Sequence, residues 1–151
     1  FGVNRFLCFM EWDCALYRAL QEHGMTQEQA CRLIEEINWD MFGTGTANVF
    51  RLSRLRSAKL QTRIQWVLDL MFAALFTKPF RKQVVPSNEA IAFDVISCPV
   101  ADYFKQQGAQ ELTRYAACNL DHRMAKVWGV GLHRQQTIAA GDARCDFRFR
   151  V

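Results

Sequence analysis

The sequence predicts an α+β fold in which N-terminal helices pack on a small antiparallel sheet that carries an inserted helix pair. Three observations lead to it. Up to Phe76 the apolar residues recur at helical spacing, in long segments with little Gly or Pro. Beyond Ile91 the period drops to two, most plainly where Cys145, Phe147, Phe149 and Val151 alternate with Asp146, Arg148 and Arg150. Between those strands the spacing turns helical again. One domain over residues 1–151 is expected, with a helical part at 1–76 and an α+β part at 91–151.

The elements follow in order. Arg5 to His23 is apolar and free of Gly and Pro, and Gly24 suits the position after a helix end. Thr26 and Gln29 form a capping box that starts a second helix, with Ala30, Leu33, Ile34, Ile37 and Met41 as its core stripe. Gly43-Thr44-Gly45-Thr46 breaks the pattern and reads as a helix–helix connection, since the Lys and the spacing of a phosphate loop are absent. A third helical region runs from about Ala47 to Phe76, bent near its middle. Thr77 to Ala90 reads as a loop bracketed by Pro79 and Pro86. Ile91 to Ser97 is rich in β-branched residues and reads as a strand that Pro99 ends. Asp102 to Gln107 is a short helix closed by Gly108, and Gln110 to about Val127 is a longer one. Gly129-Val130-Gly131 turns the chain into two strands, Leu132 to Ala140 and Arg144 to Val151, joined by Gly141-Asp142-Ala143.

Composition excludes several classes. Half the residues are hydrophobic and under a quarter are charged, which removes the chain from the disordered class. The longest apolar stretch, Ile64 to Phe76, is interrupted by Gln65 and Asp69 and falls short of the about 20 residues that span a bilayer. No membrane partner is expected. Arg51, Arg54, Arg56, Lys59 and Arg63 crowd into one segment, but few aromatics interleave with them in a way that suits base stacking. They read as a solvated helix face, and no nucleic acid is expected. Phe1-Gly2-Val3-Asn4-Arg5 is not the start of an export signal, so a cytoplasmic setting with reduced thiols is expected. The chain lacks an initiator Met, so residues upstream of Phe1 are expected to be missing.

The cysteines carry the chemical interest. Cys8, Cys14 and Cys31 fall in the apolar helices and read as small buried hydrophobes. Cys98 ends a strand, Cys118 precedes Asp121 by three residues on a helix, and Cys145 adjoins Asp146. Residues three apart share a helix face, and a carboxylate raises a neighbouring thiol's pKa unless a cation compensates. Arg114, His122, Arg134 and Arg144 are the candidate cations. The plain alternative is that Cys118 is core and Asp121 a solvated helix residue. Zinc held by Cys98, Cys118 and Cys145 with Asp121 or His122 is the competing chemistry. It would need convergence in space, because no Cys-x-x-Cys or His-x-x-x-His is present. No cofactor is therefore expected. His23 and His133 are isolated.

Three motifs together resemble a known family. Phe93-Asp94-Val95-Ile96-Ser97-Cys98-Pro99 is similar to the strand ending in Cys-Pro of the L-2-amino-thiazoline-4-carboxylic acid hydrolase family. Cys118-Asn119-Leu120-Asp121 resembles its Cys-x-x-Asp motif, with Ala117 where an acidic residue is expected. Arg134 to Gly141 followed by Cys145-Asp146-Phe147 resembles its closing signature. The resemblance implies a hydrolase that opens a cyclic amidine such as 2-amino-thiazoline-4-carboxylate to a carbamoyl-cysteine product. It implies Cys118, Asp121 and Asp146 as catalytic residues, with Cys98, Arg134 and Cys145 binding the small-molecule substrate. Arg134 would clamp the substrate carboxylate, while Thr137 and Gly141 shape the turn. A homo-oligomer is compatible with it. The ending Gly141-Asp142-Ala143-Arg144-Cys145-Asp146-Phe147 also resembles vinyl-reductase-like ligand-binding domains, which implies the alternative of a non-catalytic sensor or carrier module.

Overall fold

The computed structural model describes residues 2–88 and 90–151. The first helix, α1, spans Gly2–Glu22 and buries Met10, Asp13, Cys14 and Tyr17. The second, α2, spans Gln27–Leu52 and opens on the expected capping box, in which Thr26 Oγ1 accepts from the Gln29 N–H and Gln29 Oε1 accepts from the Thr26 N–H. It does not stop at Gly43. A Cβ at that position would stand 2.8 Å from Trp39 Cε2, so the glycine makes room for an indole lying along its own helix. The stripe is also rotated from the expected one. Ala30 and Ile34 are buried, but Leu33 and Met41 are exposed, and the inward face is completed by Cys31 and Asn38.

The bend expected within 47–76 is a full break. A 3-10 turn at Ser53–Leu55 follows α2, and α3 begins afresh over Leu60–Ala74. Arg63 holds this corner and is not part of a solvated face. Its Nε donates to Ser53 Oγ at 3.1 Å, its Nη2 donates to the Phe50 carbonyl at 3.0 Å, and it stacks on the Phe50 ring. Burial pushes its pKa down, and Arg54 adds to that. Arg51, Arg54, Arg56 and Lys59 are exposed as expected.

Four strands form one antiparallel sheet in the order β1-β2-β4-β3. They are β1 (Arg81–Val84), β2 (Ala90–Ser97), β3 (Gly131–His133) and β4 (Cys145–Arg150). Strand β1 falls in the segment expected to be a loop; it is a polar, mostly exposed edge, so no apolar alternation marks it. The register sets Ile91 against Phe149, Phe93 against Phe147 and Val95 against Cys145. These six side chains face the helices, and the Phe93 and Phe147 rings stack at 5.0 Å. On the opposite face, buried Asp94 binds Arg148 at 2.8 Å and Arg144 at 3.0 Å.

The expected strand at 132–140 survives only as β3, and the reason is side-chain chemistry. Asp146 Oδ1 takes the N–H groups of Gln135 and Gln136, and Asp142 Oδ2 takes that of Thr137. Those donors are lost to any strand ladder. A 3-10 turn, Ile138–Ala140, follows, capped by Thr137 and closed by Gly141 at φ 97°. Between the sheet strands, α4 (Pro99–Gln106) starts with Pro99 in its first turn, where its missing N–H costs nothing. A π-helical segment, Thr113–Cys118, then leads directly into α5, Asn119–Trp128.

Two apolar clusters result. One lies between the sheet, α3 and α5, and the other joins α1, α2, α4 and the π-helical segment; Cys98 and Phe80 pack against both. Asp13 is the polar centre of the second. It accepts from Asn38 Nδ2 at 2.8 Å, and the same amide reaches the Ala116 carbonyl at 3.2 Å. Burial raises the Asp13 carboxyl from 3.8 to about 6, although the Asn38 hydrogen bond opposes the shift. The folded chain therefore keeps a proton that the unfolded chain has lost between these values. Stability falls across that window as pH rises, and the full cost, about 3 kcal/mol, is present above it. Asp13→Asn keeps the acceptor for Asn38 and cannot ionise. Urea unfolding is expected to show the variant about 2–3 kcal/mol more stable than the parent at pH 7, with the gain shrinking towards zero near pH 4.

Candidate active site

The two clusters leave a cavity of about 170 Å3 between them. Its walls are aromatic and aliphatic, with Trp39 and Phe42 from α2, Met71 and Phe72 from α3, and Phe93 and Phe147 from the sheet. Phe6 of α1 also reaches it. At one end it meets Cys98, Cys118, Cys145, Asp121 and Arg134. Five of the six residues expected at the site thus line one hollow.

The helix carrying two of them is widened where it meets the cavity. In the π-helical segment the Asn119 N–H bonds the Arg114 carbonyl five residues back, and Ala116, Ala117 and Cys118 form wall. Such π turns are rare and cluster at functional sites. The following turn is anchored on α2. Asn119 Nδ2 donates to Glu35 at 2.6 Å, while Arg123 pairs with Glu36 at 2.8 Å and lies over Trp39. Cys118 and Asp121 therefore have a fixed direction.

Arg134, one residue past β3, completes the end wall. Its Nη1 meets Asp121 Oδ2 at 2.6 Å, its Nη2 donates to the Cys118 carbonyl at 2.9 Å, and its plane stacks on Phe147. The guanidinium is almost wholly enclosed, with 4 % of its side chain exposed. It is engaged by Asp121 and does not stand free to clamp a substrate carboxylate. Among the described residues, Asp121 Oδ1 has no hydrogen-bond donor, and Asp121 lines the cavity.

Burial governs the titration here. It raises the Asp121 carboxyl, and the Arg134 charge and hydrogen bond reduce the shift without cancelling it. Burial, and then the Asp121 charge, push the Cys118 thiol far above its ordinary range; Arg134 opposes them. Burial takes Cys98 up to about 11 and raises Cys145 as well, although the Ile138 N–H donates to the Cys145 sulfur at 3.2 Å. All three thiols are protonated at neutral pH. His122 is lowered by burial and by Arg134 and Lys126, so it is neutral and supplies no compensating cation.

Asp146 stands apart from the others. It lies on the sheet face opposite Cys145 and Phe147, is absent from the cavity wall, and spends Oδ1 on two backbone N–H groups. Its place is in shaping the loop that delivers Arg134. No group of three or more His, Cys, Asp or Glu side chains among the described residues is arranged to hold a metal ion. Cys14 and Cys31 are buried as expected, but Cys8 is exposed. No described helix is long and apolar enough to cross a membrane.

Residues 5–149, nearly the whole chain, match the family of L-2-amino-thiazoline-4-carboxylic acid hydrolase. The chain belongs to that family. No curated protein and no solved structure shows a match. For a member of this hydrolase family, the arrangement offers a carboxylate held in low dielectric beside three neutral thiols. Burial shifts that carboxyl towards holding its proton, the direction a proton-transfer group needs. A second, polar hollow lies on the other side of Cys118 and Arg134, lined also by Arg114, Asn119 and His122. Sequence reasoning missed Trp39, Phe42 and Phe6, because ordinary helix apolar residues carry no local sign of a cavity.

Replacing Arg134 by Met leaves the Asp121 charge without its partner. Loss of one member of a buried pair costs about 3–5 kcal/mol. Urea unfolding of Arg134→Met at pH 7 is expected to show a loss of that size. The loss is expected to shrink as pH falls, because burial raises the Asp121 carboxyl and Arg134 no longer opposes that shift.

Proposed function

We propose that the chain hydrolyses a cyclic amidine of the 2-amino-thiazoline class to a ring-opened carbamoyl product, with Asp121 as the proton-transfer group. The observation that carries this reading is the Asp121 carboxyl itself. It is fixed by Arg134 through one oxygen, unpartnered at the other, and raised by burial. The open Asp121 oxygen can make one hydrogen bond to an amidine nitrogen, strengthened when either group is charged.

In this reading the Asp121 carboxyl protonates the ring nitrogen, which makes the amidine carbon electrophilic. A water from the polar hollow attacks that carbon and gives a proton back to Asp121. The carbon–sulfur bond then breaks. The sulfur leaves with a proton from Asp121, and the added hydroxyl gives its own proton back to Asp121 as it becomes the carbamoyl oxygen. One water is consumed and no atom is lost. Arg134 positions Asp121, Cys118 bounds the ring, and Cys98 and Cys145 fill the wall behind. The raised thiol pKa argues against Cys118 as the attacking group, because the thiolate is the nucleophile.

The alternative is a module that holds a small molecule without turning it over. The apolar wall and the neutral thiols favour it. Product formation separates the two. With 2-amino-thiazoline-4-carboxylate as the assay substrate, Asp121→Asn is expected to lower turnover by about 100-fold or more, and Cys118→Ala by no more than about tenfold. Chromatography of the carbamoyl product against time reads both. Absence of any product from the parent chain rejects the hydrolytic reading, and a dead Cys118→Ala with an active Asp121→Asn reverses the two roles.

A further inference from the structure

The cavity is poorly matched to a small zwitterion. Of its described lining residues, Arg134 is the one cation and Asp121 the one anion, and they are paired with each other. A substrate carboxylate pushed into the aromatic end would meet no charge to balance it and would lose its water, which costs several kcal/mol. The aromatic end is nonetheless a substantial space. A dry apolar cavity of about 150 Å3 takes one benzene ring, and this one measures about 170 Å3. Trp39 is held across it by Arg123 on one side and Gly43 on the other, so the wall is set in place without a ligand. Cys118 and Arg134 line both the cavity and the polar hollow, so the cavity's charged end lies beside polar space while its body is apolar.

We infer that the substrate is a cyclic amidine bearing an apolar, ring-sized substituent, which occupies the aromatic cavity while the amidine lies at Asp121. This rests on the ring-opening reading for the amidine head and goes beyond it in naming the body. The substituent is aryl or branched alkyl, held by Phe72, Phe93, Phe147 and Trp39. Any charged substituent points to the polar hollow, towards Arg114.

Three probes test it: 2-amino-thiazoline, its 4-carboxylate and its 4-phenyl derivative. Binding to the full chain is read by calorimetry, and ring opening by chromatography. The phenyl probe is expected to bind at least about tenfold more tightly than either other probe, as one well-filled apolar pocket can provide. Ala117→Leu, which narrows the cavity, is expected to abolish that advantage. Should this variant fail to fold, Leu75→Trp at the exposed rim of the same wall serves the comparison. Equal or tighter binding of the 4-carboxylate overturns the inference, as does a phenyl advantage that survives both variants. The two readings fail separately. Opening of the 4-carboxylate without a phenyl preference keeps the hydrolase and removes the apolar body. A phenyl preference without opening of any probe keeps the apolar body and removes the hydrolase.

Discussion

The ion pair between Arg134 and Asp121 joins α5 to the loop after β3, at the end of the apolar cluster that already packs that helix on the sheet. Asp121 rides on α5, which is fixed to α2 by Asn119 and Arg123. Arg134 leaves the sheet just after β3, and its position depends on a loop whose N–H groups are taken up by Asp142 and Asp146. The pair closes the gap between helix and loop and ends the aromatic cavity. Two charges in such a place are costly to desolvate, and the short contact, the Cys118 carbonyl and the Phe147 face together offset that cost. What remains is a carboxylate at the cavity with one oxygen engaged by Arg134 and no described donor on the other.

That arrangement bears on two kinds of chemistry. Three cysteines around one cavity invite a thiolate mechanism or a metal. A thiolate needs a net positive surrounding, and the one guanidinium at hand is already balanced by Asp121. The thiols are accordingly neutral, compact and suited to packing. The carboxyl group is the titratable function whose pKa moves in a useful direction, and it is the one with an unfilled hydrogen-bonding position. Membership of the hydrolase family agrees with hydrolytic chemistry, and a polar hollow lies against Cys118 and Arg134.

Much of the fold was legible because local and tertiary preferences coincide. The Thr26 capping box, the β-branched run of β2 and the alternation of β4 are each what a buried face or a helix start demands. The misreadings have specific causes. Gly43 looks like a helix break until the Trp39 ring beside it is known. Strand β1 is an edge with little to bury, so its sequence is polar. The segment after His133 has the composition of a strand, but carboxylates far along the chain compete for its backbone. The π-helical widening before Asn119 leaves no mark on periodicity. At the site, motifs identified Cys98, Cys118, Asp121, Arg134 and Cys145, which do share one cavity, whereas Asp146 was drawn in by its neighbour Cys145 although alternation turns it to the other face. The aromatic walls come from helices whose apolar residues look like any core, so the cavity was not legible at all.

The most direct measurement is a double-mutant cycle on the pair, with Arg134→Met, Asp121→Asn and the two combined, followed by urea unfolding at pH 7. If the pair organises the end wall, the double variant will be more stable than Arg134→Met alone, because removing the second charge relieves the first loss. The coupling should then reach about 1.5–3 kcal/mol. Losses that simply add would contradict the account, since each side chain would then be held by its surroundings and not by its partner.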